Sequence, residues 1–131
     1  MDDFIAMNRA FHKSGLTNPV VHVQKGEQAL DYLYSRGDYC DTPHLLPALI
    51  LLDINLPGID GIELLKRLKG DANLRSIPVV VFTTSMDIQD VKKCYDQGAN
   101  SYIRKPANLA DFVEAVSEVK RYWIEISESP I

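Results

Sequence analysis

The 131 residues hold only two cysteines, one tryptophan and three histidines, and no apolar stretch approaches the roughly 20 residues that a membrane-spanning helix requires. Each scarcity excludes something. Cys40 and Cys94 stand alone, without metal-ligand spacing or a secretory signal, which points to reduced thiols in a cytoplasmic protein. His12, His22 and His44 are scattered over a helix, a strand and a loop as the sequence reads, so neither a metal cluster nor a catalytic triad is expected. Positive charge is also short: the formal net charge is −4, and the one basic cluster, Lys66-Arg67-Leu68-Lys69, reads as a solvated helix face. General attraction to nucleic acid or to an anionic membrane is therefore excluded. No linker, internal repeat or DNA-binding motif interrupts the chain, so residues 1–131 are expected to form one domain with no output domain.

What is present is apolar sequence, 46% of residues, enough for a single core. Asp53 closes the run Ala48-Leu49-Ile50-Leu51-Leu52 and is followed by a turn with Pro57, Gly58 and Gly61. A carboxylate at the end of a buried strand is where an open α/β sheet places its chemistry. Thr83 ends a second run, Val79-Val80-Val81-Phe82, and Lys105-Pro106 follows a third, Ser101-Tyr102-Ile103. An acid, a hydroxyl and an amine at three successive strand ends suit a phosphoryl group.

Around these runs the 3.6-residue period predicts five helices. The first carries Phe4, Met7 and Phe11 and stops at Gly15. A short strand is predicted at Val20 to Val23, then a helix from Gly26 to Ser35 with Ala29, Leu30, Leu33 and Tyr34 on one face. A loop runs from Arg36 to Pro47. Further helices are predicted at Gly61 to Lys69, with Ile62, Leu65 and Leu68 inward, and at Asp87 to Gln97, with Ile88, Val91, Cys94 and Tyr95 on one side. Asn108 and Asp111 open the last, whose stripe is Phe112, Val116, Val119 and Trp123. Tyr122-Trp123 would seal the core or a subunit contact, and Glu125 and Glu128 would be solvated. Four strands alternating with five helices predict a doubly wound α/β fold with a parallel sheet.

The joint spacing of Asp53, Thr83 thirty residues on and Lys105 fifty-two residues on, with Pro106 behind and Pro57 and Gly61 in the turn, resembles the receiver domain of two-component response regulators. The Tyr39 to Pro47 segment and the Tyr122-Trp123 ending are similar to stand-alone regulators that serve phytochrome-type histidine kinases. The resemblance implies a flavodoxin-like sheet and a phosphorelay role, in which Asp53 accepts a phosphoryl group from a sensor histidine kinase. It implies further that Lys105 and Thr83 contact phosphoryl oxygens, that Tyr102 is the switch aromatic, and that Mg²⁺ is held by Asp53 and the backbone carbonyl of Asn55. No enzymatic turnover is expected. Output would pass through a partner or a homodimer built on the last two helices and the Tyr102 strand.

One departure stands out. The family holds its metal with an acidic pair after a central first strand, and Asp2-Asp3 lie too near Gly15 for that pair; they fit better as the acidic start of a helix. On this alignment the first strand and the further acidic ligands lie upstream of Met1, Mg²⁺ binding is weak, and the sheet is non-standard or completed by another chain. Two alternatives stay open: a receiver-like binding module that is never phosphorylated, and a phosphatase with an aspartate nucleophile. Such hydrolases place a second Asp two residues after the nucleophile as the acid; here that residue is Asn55, which cannot donate a proton as an acid.

Overall fold

Runs of Val, Ile and Leu, whose branched side chains fit an extended pleat, form three parallel strands in the computed structural model, which describes residues 3–13, 15–16, 20–41, 46–55 and 60–128. They are β1 (Ile50–Leu52), β2 (Val79–Thr83) and β3 (Ser101–Arg104), in the order β1-β2-β3. Leu52 pairs with Val81, and Thr83 with Arg104. All five residues of β2 are buried, as a central strand covered on both faces must be. The helices are α1 (Asp3–Lys13), α2 (Gly26–Leu33), α3 (Gly61–Gly70), α4 (Ile88–Asp96) and α5 (Leu109–Lys120). With α3 and α4 in the crossovers between parallel strands, this is the doubly wound α/β class that the sequence predicts.

The described residues form two compact units, one running from Val23 to Arg104 and one combining the segment up to His22 with that from Lys105 to Glu128. In the first, Leu30 and Leu33 of α2, Leu64, Leu65 and Leu68 of α3, Val79 and Val81 of β2 and Cys94 of α4 make one apolar cluster. Each fully buried leucine contributes roughly 1.5–3 kcal/mol. In the second unit α1 packs with α5. Ala10 and Phe11 of α1 are buried there, as are Phe112, Val116 and Val119 of α5. Asn108 caps α5, its Oδ1 accepting the N–H groups of Ala110 (2.8 Å) and Asp111 (3.3 Å).

Several expectations are corrected. Val20 to Val23 form no strand; Val20 and Val21 are 41% and 52% exposed. Strand propensity alone does not order an extended segment: it needs a neighbour to complete its ladder, and among the described residues none pairs with it. Tyr34 is exposed rather than inward, because it lies past the end of α2, and its hydroxyl donates to Asp71. Ile88 and Tyr95 are likewise exposed, and of the stripe expected on α4 only Cys94 is buried.

The basic cluster is not uniformly solvated. Leu68 is in the core, and Lys69 Nζ donates to the carbonyls of Arg75 (3.0 Å) and Ile77 (2.9 Å) and to Asn100 Oδ1 (3.1 Å). Partial burial lowers the Lys69 pKa. Gly98 ends α4 with φ +101°, and a Cβ there would come within 2.9 Å of Lys69 Cγ, so only glycine fits. Beyond Lys120 the backbone widens into a π-helical turn, Arg121–Ile126, so Trp123 lies outside the predicted α-helical stripe and meets Tyr122 edge-on at 5.0 Å. Glu125 is exposed as expected, yet it pairs with the ammonium of the buried Lys120. Asp3 begins α1, as expected of the helix start. Asp2, His44, Pro57 and Gly58 lie outside the described residues.

The two thiols differ in environment. Cys40 is exposed, whereas Cys94 is fully buried and its pKa is pushed up to about 11, first by burial and then by the charges of Asp90 and Asp60. Only thiolate reacts readily. Iodoacetamide in mildly alkaline buffer is expected to add one adduct to the native protein, on Cys40, and a second only after unfolding. Two adducts on the native protein, read by intact mass, would contradict the closed packing of Cys94.

Candidate functional site

Asp53 follows β1 directly and Thr83 ends β2, so both lie at the carboxyl end of adjacent parallel strands. The chain turns at once at Ile54-Asn55. Ile54 drops into the core, and Asp53 Oδ1 accepts the N–H of Asn55 at 2.9 Å, the local bond by which Asp stabilises a turn. The turn is backed by α3. Gly61, the first residue of that helix, donates its N–H to Ile54 O at 3.3 Å, and a Cβ on it would lie 2.3 Å from Ile54 Cα and 2.9 Å from Asp53 O. Asp60 caps the helix by accepting the N–H of Ile62 at 2.8 Å.

Asn55 then joins the two strand ends. Its Nδ2 donates to Thr83 Oγ1 at 3.3 Å, while its backbone N–H holds the Asp53 carboxylate. Thr83 is fully buried, and its hydroxyl also accepts the N–H of Ser85 at 3.3 Å. Ser85 is a junction: its Oγ donates to Asp90 of α4 at 2.6 Å, and its carbonyl accepts the hydroxyl of Tyr102 from β3 at 3.2 Å. A continuous set of hydrogen bonds therefore runs from Asp53 through Asn55, Thr83 and Ser85 to Tyr102.

Of the residues singled out in the sequence, Asp53, Asn55, Thr83 and Tyr102 belong to this set within one compact unit. Lys105 is the next residue after Arg104, the β3 partner of Thr83, and is counted in the other unit. Sequence reasoning assigned Asn55 a role only through its backbone carbonyl; its side chain is the actual bridge. Sequence reasoning did not single out Ser85 or Asp90. The available signal was a Ser two residues after the strand-ending Thr, a spacing at which a hydroxyl captures a backbone N–H.

The chemistry of the arrangement is that of a half-exposed carboxylate beside a hydroxyl whose bonds can be redirected. For a divalent cation the described residues supply the Asp53 carboxylate and the Asn55 carbonyl oxygen. No group of three or more His, Cys, Asp or Glu side chains suited to a metal is found among the described residues. A hard cation such as Mg²⁺ prefers six oxygens and keeps several waters, so two protein donors fit it only in part.

The chain belongs to the response regulator receiver domain family, whose model matches residues 4–117. Its fold is the flavodoxin-like receiver fold, and its class is that of two-component phosphorelay signalling. It is 40% identical over 124 residues to a probable methanogenesis regulatory protein, FilR2, of Methanothrix harundinacea, covering 93% of this chain and 77% of the relative. The response regulator Rcp1 of Synechocystis is 37% identical over 117 residues, covering 89% and 78%. Among solved structures, the phosphorylated cyanobacterial phytochrome response regulator RcpA superposes with a TM-score of 0.91 at 37% identity, covering 98% of this chain and 91% of that one. The Mn²⁺-bound form of Rcp1 superposes with a TM-score of 0.83 at 35% identity, covering 100% and 96%.

Proposed function

We propose that Asp53 is the phosphoacceptor and that its phosphorylation by a sensor histidine kinase switches a partner-binding surface. The observation that carries this is Asn55, which ties the Asp53 carboxylate to the buried Thr83 hydroxyl across adjacent strand ends. A carboxylate oxygen of Asp53 attacks phosphorus in line as the bond from phosphorus to the kinase imidazole breaks, and the imidazole leaves with the electron pair. Lys105 offers its ammonium to one phosphoryl oxygen and Thr83 its hydroxyl to another. Thr83 Oγ1 accepts from Asn55 and Ser85 and keeps its own O–H to give; drawing that oxygen toward the phosphoryl group would lengthen both accepted bonds, and Tyr102, bonded to Ser85, would respond.

This is a role in signalling, not turnover. Asn55 can orient water but cannot act as the general acid that an aspartate phosphatase needs. Incubation with acetyl phosphate is expected to leave one phosphoryl unit on the protein by intact mass, with no multiple turnovers of p-nitrophenyl phosphate. Sustained hydrolysis would favour the phosphatase, and no mass gain would favour a non-phosphorylated binding module.

The likeness to the phytochrome response regulator RcpA supports a phytochrome-type kinase as the partner, and the proposed place of the exchange is the cytoplasm. A cation such as Mg²⁺, held at Asp53 and the Asn55 carbonyl, would neutralise phosphoryl oxygens when bound. With one carboxylate described, its affinity is expected to be weak. Titrating Mg²⁺ against Trp123 and tyrosine fluorescence should give a half-saturation above the millimolar range; saturation below it would contradict the partial donor set. The last two helices and the Tyr102 strand are the proposed homodimer surface, to which α4 contributes the exposed ring of Tyr95. Light scattering should show mass rising toward two chains with concentration, and a constant monomer would remove this surface.

A further inference from the structure

The basic residues of α3 border a second concavity, apart from the strand ends. A cleft of about 550 Å³ is lined by residues of α2, of α3 and of the turns that follow them: Tyr34, Arg36, Glu63, Lys66, Arg67 and Asp71 at its polar sides, with Leu30 and Gly70 beside them. All of these belong to the unit from Val23 to Arg104. Helix α3 starts against the turn behind Asp53 and ends at Gly70 on the cleft, so its 10 residues, roughly 15 Å of helix, separate the two places.

Both arginines are tethered through one nitrogen only. Arg36 Nε donates to Asp31 Oδ1 at 2.9 Å, and Arg67 Nε donates to Glu63 Oε1 at 3.4 Å. The Nη1 and Nη2 groups of both guanidiniums and the ammonium of Lys66 have no hydrogen-bond partner among the described residues. Arg36 is held further by its surroundings. Ser35, at φ +54°, turns the chain so that Arg36 N–H returns to Asp31 O at 2.9 Å, and the guanidinium lies over the Tyr34 ring, 5.1 Å from its centre. The lining carboxylates are already engaged, Glu63 by Arg67 and Asp71 by the Tyr34 hydroxyl and by Asn73 N–H at 2.7 Å. Three cations against two carboxylates make the cleft locally positive in a chain whose formal net charge is −4. Pairs as exposed as Arg36–Asp31 and Arg67–Glu63 add little to stability; their effect is to engage Nε and keep the terminal NH₂ groups available.

We propose that this cleft binds a diphosphate group, free or carried by a nucleotide. A guanidinium with two unused NH₂ groups matches the paired oxygens of one phosphoryl group, and two guanidiniums with an ammonium match two of them. The volume falls within the range of roughly 300–1,000 Å³ typical of small-molecule sites. Leu30 supplies apolar surface, and nothing stands within 4 Å of a Cβ position at Gly70, which leaves room for an organic body. Neither the residues nor the binding depend on the reading of Asp53 as phosphoacceptor.

Amide chemical shifts of the full chain, followed by NMR while pyrophosphate or ADP is added in low-salt buffer with EDTA, test this. EDTA keeps divalent cations from carrying either anion to Asp53. Amides of Arg36, Gly37, Arg67 and Gly70 are expected to shift and saturate with a dissociation constant below about 1 mM, rising with added salt. Equal affinities identify free diphosphate as the ligand, and tighter binding of ADP identifies a nucleotide. Arg36→Gln and Arg67→Gln should each weaken binding about tenfold, the equivalent of one charge-assisted hydrogen bond. Asp53→Asn should not weaken it, nor should Arg121→Gln, which removes the same charge from the other compact unit. Absence of saturable shifts with both anions overturns the proposal, as does an affinity that neither Arg36→Gln nor Arg67→Gln alters. Loss of binding in Asp53→Asn would place the anion at the strand ends instead, and equal weakening by all three arginine variants would reduce it to overall charge; either result overturns the cleft as a site.

Discussion

Asp53→Asn is expected to reduce phosphoryl uptake from acetyl phosphate to background, a loss on the order of 10⁴-fold or more, as removal of a covalent nucleophile costs elsewhere. The substitution is nearly isosteric. An amide oxygen can still accept the Asn55 N–H that Asp53 Oδ1 accepts now at 2.9 Å, so the turn should survive. What is lost is the charged, nucleophilic oxygen. Urea unfolding should therefore differ from wild type by less than about 1 kcal/mol, which separates a chemical effect from a folding one. Mass spectrometry of the treated proteins decides the matter: a variant that gains a phosphoryl unit as fast as wild type would place the acceptor on another residue.

The second large effect is expected at Gly61→Ala. On helix propensity alone alanine should stabilise α3 by up to about 1 kcal/mol. Packing opposes this, because the new Cβ would stand 2.3 Å from Ile54 Cα and 2.9 Å from Asp53 O, closer than the 3.0 Å that real Cβ atoms respect. The atoms struck are backbone, so no rotamer change relieves the clash, and either the helix or the turn behind Asp53 has to shift. Overpacking of this kind costs roughly 1–3 kcal/mol and occasionally more. We expect net destabilisation of about 2 kcal/mol, seen as a shift of roughly 1–2 M in the urea midpoint. Phosphoryl uptake should slow as well, since the same turn carries Asn55 to Thr83. Gly70→Ala is the control: nothing lies within 4 Å of a Cβ there, and its stability should be unchanged or slightly higher. Equal stability of Gly61→Ala and Gly70→Ala would show that α3 does not press on the turn.

The sheet was legible where burial and chain chemistry agree. Val79 to Phe82 reads as a strand because β-branched residues apolar on both faces suit only a covered parallel strand, and β2 is buried throughout. Val20 to Val23 has the same local character but no ladder partner among the described residues, a property of the whole fold that no local pattern carries. Tyr95 and Ile88 fit the helical period of α4, yet periodicity states only which residues share a face. Whether that face is covered depends on what packs against it.

In the site, Asp53 and Thr83 stood out because a polar residue ending an apolar run is conspicuous. Asn55 and Ser85 did not, since small polar residues in turns are common, and their value here comes from one side chain reaching across to the neighbouring strand end. The Lys105 amine was conspicuous after its strand, whereas Tyr102 entered through family likeness alone; its hydroxyl donates to Ser85 O.

At the opposite end of the sheet, Lys69 gathers oxygens from Arg75, Ile77 and Asn100, and Asn100 Oδ1 in turn accepts the N–H of Val79 where β2 begins. A single ammonium thus acts as a rivet through three chain segments at the entrance of β2 and β3. The strands are thereby pinned where they enter, at the end of β2 opposite Thr83, by an ammonium that no change at the carboxyl ends of the strands touches directly.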